Sequence, residues 1–237
     1  MIKLHGFGAN LGVMDASPFV VKADVFLKMS GLEYKNISGI RNMKKAPKGK
    51  LPYISIEDDT QSTLVADSQA IIDYLTKQYQ LPLDDHLTQE ESAQAYLMTK
   101  SLDENLYWCL LYCRWNLAET WATVHKAFFS KMPFWLRPII PTLYRRTVKK
   151  ALYAQGMGRH SYDEVTEIAD NSFKALANIL ADKEYFFGDK PSSFDATAYA
   201  FLCQFITAQC PNKLNDKAKS YDNLVGFCQR IEKQFYS

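Results

Sequence analysis

Along the first third of the chain, hydrophobic residues recur in some segments at every second position and in others at helical spacing. Strict alternation in "IKLHGF" predicts a strand, and short β-rich runs predict three more in "EYKNIS", "LPYISI" and "STLVA", with the polar turn "EDDTQ" between the last two. Apolar residues at helical spacing predict helices over residues 18–30 and over "DSQAIIDYLTKQY". The predicted order is therefore β-α-β, a loop, and then β-β-α.

Strand signals nearly vanish after residue 79. Residues 80–88 are predicted to be a linker. The helical patterns that follow cover, approximately, residues 89–118, 119–130, 135–155, 162–182, 193–210 and 216–235. This plan predicts an α/β domain over residues 1–79 and an all-α domain over residues 89–237.

Two of the later helices have a recognisable start. "SYDE", from Ser161 to Glu164, has the spacing of a capping box, and "SSFD", from Ser192 to Asp195, is a related Ser-x-x-Asp cap. A structural role is sufficient for both.

The composition changes this picture little. The 237 residues are 47% hydrophobic and 23% charged, which is typical of a globular protein with a sizeable core. A net charge of +2 does not favour nucleic acid as a partner, and local basic runs are interpreted as solvated surface. The N-terminus lacks the apolar core of a signal peptide, and "ATAYAFLCQFITAQCP" is interpreted as a buried helix and not a membrane span.

The five cysteines lie in apolar helical contexts, and no CxxC motif is present. Reduced, core-filling thiols in a cytoplasmic protein explain them best. Cys109 and Cys113 share a helix face and leave a metal site open as a weaker alternative. We expect no metal.

The stretch "SPF" at residues 17–19 has two interpretations. Ser17 before Pro18 is typical of a helix N-terminus, in which the hydroxyl caps a backbone N–H. The same geometry makes an anion site, because free N–H groups point outward there. The stretch alone does not decide between a cap and a partner for a bound thiolate.

Two further motifs, "KGKLPYI" and "ADSQAI", predict a ligand with a peptide backbone. A cis bond before Pro52 would let Leu51 offer its N–H and C=O to an extended peptide. Ser68, at the start of a helix, can hold a carboxylate, and Asp67 can hold an ammonium group. The γ-glutamyl end of glutathione carries these groups.

Together these motifs resemble a known family. The first 79 residues resemble the thioredoxin-like domain of the glutathione S-transferase superfamily, and "FGDKPSSFDATAYAFL" resembles a segment of its helical domain. "SPFVVKADVFLKMSGLEY", "PKGKLPYI", "ADSQAIIDYL" and "GMGRHSYDEV", in this order, resemble the failed-axon-connections and metaxin-like branch. The resemblance implies an α/β thioredoxin-like N-terminal domain followed by an all-α C-terminal domain.

The resemblance also implies roles for particular residues. Ser17 is the expected catalytic partner of the thiol, and the expected glutathione-binding residues are Lys50, Leu51, Pro52, Asp67 and Ser68. Glutathione is the expected co-substrate, an apolar electrophile the expected second substrate and a homodimer the expected assembly. The alternative that the branch implies is a non-catalytic binding or scaffold protein.

One segment departs from the family pattern. The loop "GANLGVMDA" before Ser17 is longer than in typical transferases of the superfamily, so that it would shift Ser17, cover the site or widen it. A dithiol reductase is excluded, because the helix start reads Ser-Pro-Phe-Val and contains no cysteine.

Three other segments each have two interpretations. Arg159 and His160 face a second substrate or only follow a helix stop at Gly156. "MPFWLRPIIPTLYRR" is either a membrane-surface segment or, the interpretation we favour, an interrupted stretch of helix packing. The aromatic run is either the wall of an apolar substrate site or core; it comprises Tyr107, Trp108, Tyr112, Trp115 and Trp121.

Overall fold

A computed structural model of the chain describes residues 1–57, 62–130 and 132–236. The four predicted strands are present, and in the described residues they form one mixed sheet in the order β2-β1-β3-β4. The polar turn predicted between the last two strands falls largely on residues 58–61, outside the described residues. The strands are β1 (Ile2–Gly6), β2 (Tyr34–Ser38), β3 (Tyr53–Glu57) and β4 (Ser62–Ala66).

Strand β1 is central because every second residue of it is buried. It pairs in parallel with β2 and antiparallel with β3, where Leu4 lies opposite Ile54. The parallel pairing requires a crossover, which helix α1 (Pro18–Met29) supplies. Helix α1 is buried along most of its length and packs between the sheet and helix α9 (Ser193–Ile206).

Most of the described residues after β4 are helical. Helix α3 ends at Tyr79 and α4 begins at Gln89, at the two edges of the predicted linker. The remaining helices are α2 (Asn42–Lys45), α3 (Ser68–Tyr79), α4 (Gln89–Ser101), α5 (Tyr107–Leu111), α6 (Ala118–Phe129), α7 (Ile140–Gln155), α8 (Tyr162–Leu180), α10 (Lys213–Lys219) and α11 (Asp222–Phe235), with one 3₁₀ turn at Met157–Arg159.

The helix predicted over residues 89–118 contains two π-helical turns. They cover Leu102–Leu106, between α4 and α5, and Tyr112–Asn116, after α5. Each π turn holds one residue more than an α-helical turn, so the side chains beyond it face a different direction. The apolar periodicity gave no sign of these turns.

Three predicted helix boundaries were wrong. Helix α7 begins at Ile140 and not near residue 135, because Pro138 disfavours helical backbone at the residue before it. Helix α9 ends at Ile206 and not at 210. The helix predicted over residues 216–235 is two helices, and α10 begins earlier because the Asn212 side chain accepts hydrogen bonds from the N–H groups of Leu214 and Asn215.

Both predicted capping motifs are confirmed. The Glu164 carboxylate accepts a hydrogen bond from the Ser161 N–H at 2.7 Å. The buried Asp195 carboxylate accepts from the N–H and the hydroxyl of Ser192 at 2.8 and 2.6 Å. Asp84, in the connection between α3 and α4, accepts from the N–H and hydroxyl of Ser193, which ties this connection to the start of α9.

A buried ion pair joins α1 to the helical domain. Lys22 of α1 is fully buried, and its Nζ lies 3.6 Å from Oδ2 of Asp103 in the first π turn, too far for a hydrogen bond. Burial lowers the pKa of Lys22 and raises that of Asp103, while the opposite charges counteract both shifts. Within the described residues, Lys22 Nζ has no hydrogen-bond partner.

We expect Asp103→Asn to lower the free energy of unfolding by about 3–5 kcal/mol, since it leaves the Lys22 ammonium buried without a counter-charge. Denaturant unfolding at neutral pH measures this. In the matched control, Lys22→Met combined with Asp103→Leu, both charges are absent and most of the loss should be recovered. An Asp103→Asn protein as stable as the wild type would contradict the prediction.

Candidate functional site

Ser17 lies at the N-terminal end of α1, as predicted, but its hydroxyl does not cap the helix. Its backbone is extended, with φ −93° and ψ 118°, and its side chain makes no capping hydrogen bond. The residue is half-buried. The hydroxyl is therefore not occupied by the structural role that the sequence left open.

The backbone before Ser17 is fixed by the carboxylate of Asp15. Oδ2 accepts hydrogen bonds from the N–H groups of Phe7 and Gly8, and Oδ1 accepts one from the N–H of Ser17, each at 2.8 Å. Asp15 is fully buried. Burial raises its pKa from 3.8 to about 6, and the three backbone hydrogen bonds counteract this rise.

Gly6 makes this arrangement possible. A Cβ atom at residue 6 would lie 2.6 Å from Val20 Cγ1 and 2.9 Å from Asp15 Oδ2. Only glycine allows the end of β1 to approach both α1 and the buried carboxylate so closely.

A buried cation from the helical domain holds the same segment from the other side. Arg114, in the second π turn, donates to the Ala16 carbonyl and to Oε1 of Gln204, both at 2.7 Å. Nε2 of Gln204 in turn donates to the Asp15 carbonyl at 3.0 Å. Burial lowers the pKa of Arg114. The position of Ser17 is thus set by both domains.

The long loop before Ser17 also contacts the helical domain. Asn10 Nδ2 donates to the Ala127 carbonyl at 2.8 Å, and the Leu11 carbonyl accepts from the Gln209 N–H at 2.7 Å. The side chain of Leu11 is buried with Trp115 and Phe129. The loop is therefore an anchored bridge between the two domains.

The Leu51–Pro52 peptide bond is cis, as predicted. Leu51 is buried and packs against Val20, one turn into α1 from Ser17. Within the described residues, no protein group pairs with the Leu51 N–H or C=O. Lys50 precedes this bond and is exposed.

Asp67 and Ser68 lie at the start of α3, next to the cis bond. The Asp67 N–H donates to the Pro52 carbonyl at 3.3 Å. Asp67 has φ +93°, which is costly for a residue with a side chain and is often found at functional sites. Its Oδ1 caps the helix by accepting from the N–H groups of Gln69 and Ala70 at 3.0 and 3.4 Å.

Ser68 is buried, and within the described residues its N–H and hydroxyl have no protein partner. The contacts therefore join Leu51, Pro52, Asp67 and Ser68 into one corner. Leu51 connects this corner to α1, whereas no contact joins exposed Lys50 to it within the described part of the chain.

Part of the predicted aromatic wall lies beside α1. Phe19, two residues after Ser17, has its ring centroid 4.8 Å from that of Tyr107, and Tyr107 contacts Trp108 at 5.7 Å. These three side chains are half-buried. Tyr112 and Trp115 are instead buried in the core.

The other predicted candidates have structural surroundings. Arg159 stacks on the Tyr153 ring at 4.8 Å, and His160 lies 3.9 Å from the Glu164 carboxylate. All five cysteines are free and buried, and burial raises the pKa of Cys109 to about 12. Over the described ranges, no group of three or more metal-ligating side chains is arranged to hold an ion.

Two cavities lie near the described elements. A cavity of about 230 Å³ is bounded by β1, β2 and the anchored loop, with Asp15, Met14 and Ser38 in its lining. A cleft of about 580 Å³ is formed by α7 and Trp121 of α6. Neither is lined by any of the six predicted site residues.

Asp15, Arg114 and Gln204 were missed by the sequence reasoning. Asp15 was visible only as part of an unusually long loop. Arg114 and Gln204 stand among apolar residues of predicted buried helices, and a charged or amide side chain in such a place indicates a buried hydrogen-bonded network.

Comparison with known proteins identifies the family. Residues 18–121 match the glutathione S-transferase N-terminal domain, and residues 169–231 match the glutathione S-transferase C-terminal domain. The chain is 32% identical to the isoprene-epoxide–glutathione S-transferase of Rhodococcus sp., with 99% of each chain covered. The chain therefore belongs to the glutathione S-transferase family.

Other relatives place the chain in the failed-axon-connections and metaxin branch of this family. It is 27% identical to Failed axon connections of Drosophila melanogaster over 94% of this chain and 57% of that protein. It is 29% identical to Metaxin-2 of Homo sapiens over 94% of this chain and 82% of that protein. The predicted family and branch are confirmed.

Solved structures confirm the fold class. A β-etherase from Sphingobium sp. has a TM-score of 0.63 at 18% identity, with 98% of this chain and 94% of that chain covered. A glutathione transferase family member from Pseudomonas fluorescens, solved with two glutathione molecules bound, has a TM-score of 0.61 at 12% identity, with 99% and 92% covered.

The raised pKa of the Asp15 carboxyl predicts how the free energy of unfolding depends on pH. Because the pKa is about 6 in the folded protein and 3.8 as the ordinary value, the folded state binds this proton more tightly than the unfolded state between those values. The stabilisation from this proton is complete below the pKa of the unfolded state, 3.8, and is lost as the pH rises through the pKa of the folded state, about 6.

We therefore expect the Asp15 contribution to fall by about 2–3 kcal/mol between pH 4 and pH 7. Denaturant unfolding across this range measures the change. Asp15→Asn, which cannot titrate, should remove this part of the slope, so the difference in stability between the wild type and the variant should change by this amount between pH 4 and pH 7. A difference that does not vary with pH would show that Asp15 has an ordinary pKa.

Proposed function

We propose that this protein binds glutathione at the N-terminal ends of α1 and α3 and transfers the glutathionyl group to a small apolar electrophile. The observation that supports this most directly is a set of unpaired hydrogen-bonding groups. Within the described residues, the Ser17 hydroxyl, the Leu51 N–H and C=O, and the Ser68 N–H and hydroxyl have no protein partner. Leu51 and Ser68 have little exposed surface, so the polar groups that they leave open at this corner are available to a ligand or to water.

These groups match the hydrogen-bonding groups of glutathione on both sides of its γ-glutamyl bond. The Leu51 backbone would pair with the cysteinyl backbone of the ligand. The Ser68 N–H and hydroxyl would bind the γ-glutamyl carboxylate at the positive end of α3. The Asp67 carboxylate would bind the ammonium group through the oxygen that does not cap the helix, and exposed Lys50 would approach the glycyl carboxylate.

Ser17 can supply the stabilisation that a thiolate needs. Ionising most of a thiol of pKa 8.5 at neutral pH requires lowering its pKa by about 2 units, or about 2.7 kcal/mol. A hydrogen bond to a charged group contributes about 1.5–3 kcal/mol. The N-terminal end of a helix contributes about 0.3–1 kcal/mol. Since the hydroxyl makes no capping bond, the two contributions together meet the requirement.

The second substrate is proposed to be a small electrophile such as an epoxide. The name of the Rhodococcus relative, an isoprene-epoxide transferase, supports this class. The half-buried rings of Phe19, Tyr107 and Trp108 provide an apolar surface beside α1. In the reaction, the thiolate forms a C–S bond, the epoxide C–O bond breaks, and the oxygen takes a proton from water to become a hydroxyl.

The second candidate function is a non-catalytic binding or scaffold protein. The likeness to Failed axon connections and to Metaxin-2 favours it. In that case, the protein would keep the corner formed by Leu51, Pro52, Asp67 and Ser68 but would not catalyse a reaction.

We propose that the protein is cytoplasmic and assembles as a homodimer, as superfamily members usually do. Five reduced, buried cysteines support the compartment. Exposed apolar side chains on β4 and α4 support an interface there, namely Leu64, Tyr96 and Leu97.

Ser17→Ala tests the catalytic proposal. We expect turnover with glutathione and a reactive epoxide to fall by about ten- to a hundredfold, equivalent to about 1.4–2.7 kcal/mol. The melting temperature should hardly change, since no capping hydrogen bond is lost. Both quantities are measured on one preparation.

Ser30→Ala is the matched control, because that hydroxyl bonds only to the Phe26 carbonyl at the other end of α1. It should leave turnover unchanged. No turnover by the wild type, with glutathione still bound, would favour the scaffold function. Full turnover by Ser17→Ala would remove Ser17 from the mechanism.

Asp67→Asn with Ser68→Ala tests glutathione binding itself. Asn keeps the helix cap but removes the negative charge, and Ala removes the Ser68 hydroxyl. We expect the dissociation constant for glutathione to rise by at least about tenfold, because hydrogen bonds to charged groups are lost. Titration calorimetry measures it, and wild-type protein that does not bind glutathione would contradict the proposal.

A further inference from the structure

The charge of the chain is strongly segregated. Between Thr120 and Tyr162 there are eight Lys or Arg residues and no Asp or Glu, although the whole chain has a net charge of only +2. The remainder of the chain is therefore net negative. This basic segment includes α6 from Thr120 onward, the connection after it and α7.

The same segment carries much of the exposed apolar surface. Seven of the fourteen large apolar side chains that are exposed in the described residues lie between Phe134 and Tyr153. Phe134 is 79% exposed and Trp135 is 62% exposed. These rings contact each other at 5.7 Å and project from the turn before α7. The preference for interrupted helix packing was therefore wrong for these side chains, since they are not packed into the protein.

The turn that presents the two rings is internally held. Arg137 donates to the carbonyls of Ser130 and Met132 at 2.6 and 2.9 Å. The Leu136 N–H donates to the Pro133 carbonyl at 3.0 Å. Their exposure is thus a feature of an ordered turn.

Helix α7 directly follows this turn and carries several exposed cations. Leu143, Arg146 and Lys150 are spaced to share one helix face, and all three are exposed. In the described part of the chain, Arg146, Lys149 and Lys150 have no acidic partner, and they line the cleft of about 580 Å³. Arg145 differs, because it stacks on Trp121 and donates to the Trp115 carbonyl.

We propose that this surface docks the protein on an anionic phospholipid membrane. Phe134, Trp135 and Leu143 would enter the boundary between headgroups and acyl chains, and Arg146, Lys149 and Lys150 would contact lipid phosphates. Exposed Trp beside Lys and Arg, without acidic residues, is the composition of a membrane-interface segment. No helix in the described ranges is long and apolar enough to cross a bilayer, and surface docking does not require one.

Charge and apolarity together favour a membrane over other partners. A two-fold contact between copies of this surface would bring like charges together, which opposes a self-interface. A nucleic acid would match the cations but would leave the apolar rings without a partner. An anionic bilayer complements both parts.

Vesicle flotation tests the proposal. The full chain is mixed with vesicles of phosphatidylcholine alone or of phosphatidylcholine with phosphatidylserine. We expect binding to the anionic vesicles to be at least about tenfold stronger and to weaken as salt rises. Trp135 fluorescence should shift to the blue on binding, and Trp135→Phe should abolish that shift.

Two variants separate the contributions. Phe134→Ser with Trp135→Ser, and separately Arg146→Gln with Lys149→Gln and Lys150→Gln, should each weaken binding to anionic vesicles by at least about tenfold. The matched control replaces exposed lysines elsewhere, Lys174, Lys183 and Lys190, by Gln, and should bind as the wild type does. All these side chains are exposed, so melting temperatures should be unchanged.

Three outcomes would overturn the proposal. The first is no binding of the wild type to anionic vesicles. The second is binding that survives the loss of both aromatic rings, or duplex DNA bound as tightly as the vesicles, because either result would describe a general polyanion surface. The third is a change in oligomeric state on loss of the rings with no change in vesicle binding.

Discussion

The candidate site depends on a buried carboxylate that forms no ion pair within the described residues. Asp15 is solvated by three backbone N–H groups from two segments of the chain, and these bonds fix where β1 ends and where α1 begins. A carboxylate buried in this way is costly. The three hydrogen bonds offset part of this cost. The bond to the Ser17 N–H also fixes the position of Ser17, two residues away.

The second support of the site lies in the helical domain. Arg114 and Gln204 bind the carbonyls of Ala16 and Asp15, so α1 is held from both sides of the domain boundary. The buried pair of Lys22 and Asp103 joins the same helix to the same domain one turn further on. Rigid-body motion between the domains would break several buried polar contacts at once, so these contacts oppose such motion.

Much of the fold followed from local patterns, and the site followed only in part. Period-two alternation located the first strand and three short runs located the others, and the Leu51–Pro52 dipeptide predicted the cis bond that the structure contains. The Ser17 motif was ambiguous because capping and ligand binding use the same residues at the same position. The roles of Arg114 and Gln204 could not be assigned, because besides each other they bind backbone carbonyls that are distant in sequence and carry no residue-specific signal. The break between α10 and α11 was missed because apolar periodicity continues across it.

The π turns have a consequence for how this chain is compared with its relatives. Each turn adds one residue and so rotates everything after it by about 100° around the helix axis. Arg114 lies inside the second of these turns. The direction of its side chain, toward the Ala16 carbonyl, therefore depends on the extra residue as well as on the amino-acid type. In a homologue that lacked one of the two extra residues, that turn would close as an α-helical turn, and the residue aligned with Arg114 across the gap would keep its direction. Between Leu102 and Asn116, side chains that support the site therefore correspond across a one-residue gap and not by their count from the start of α4.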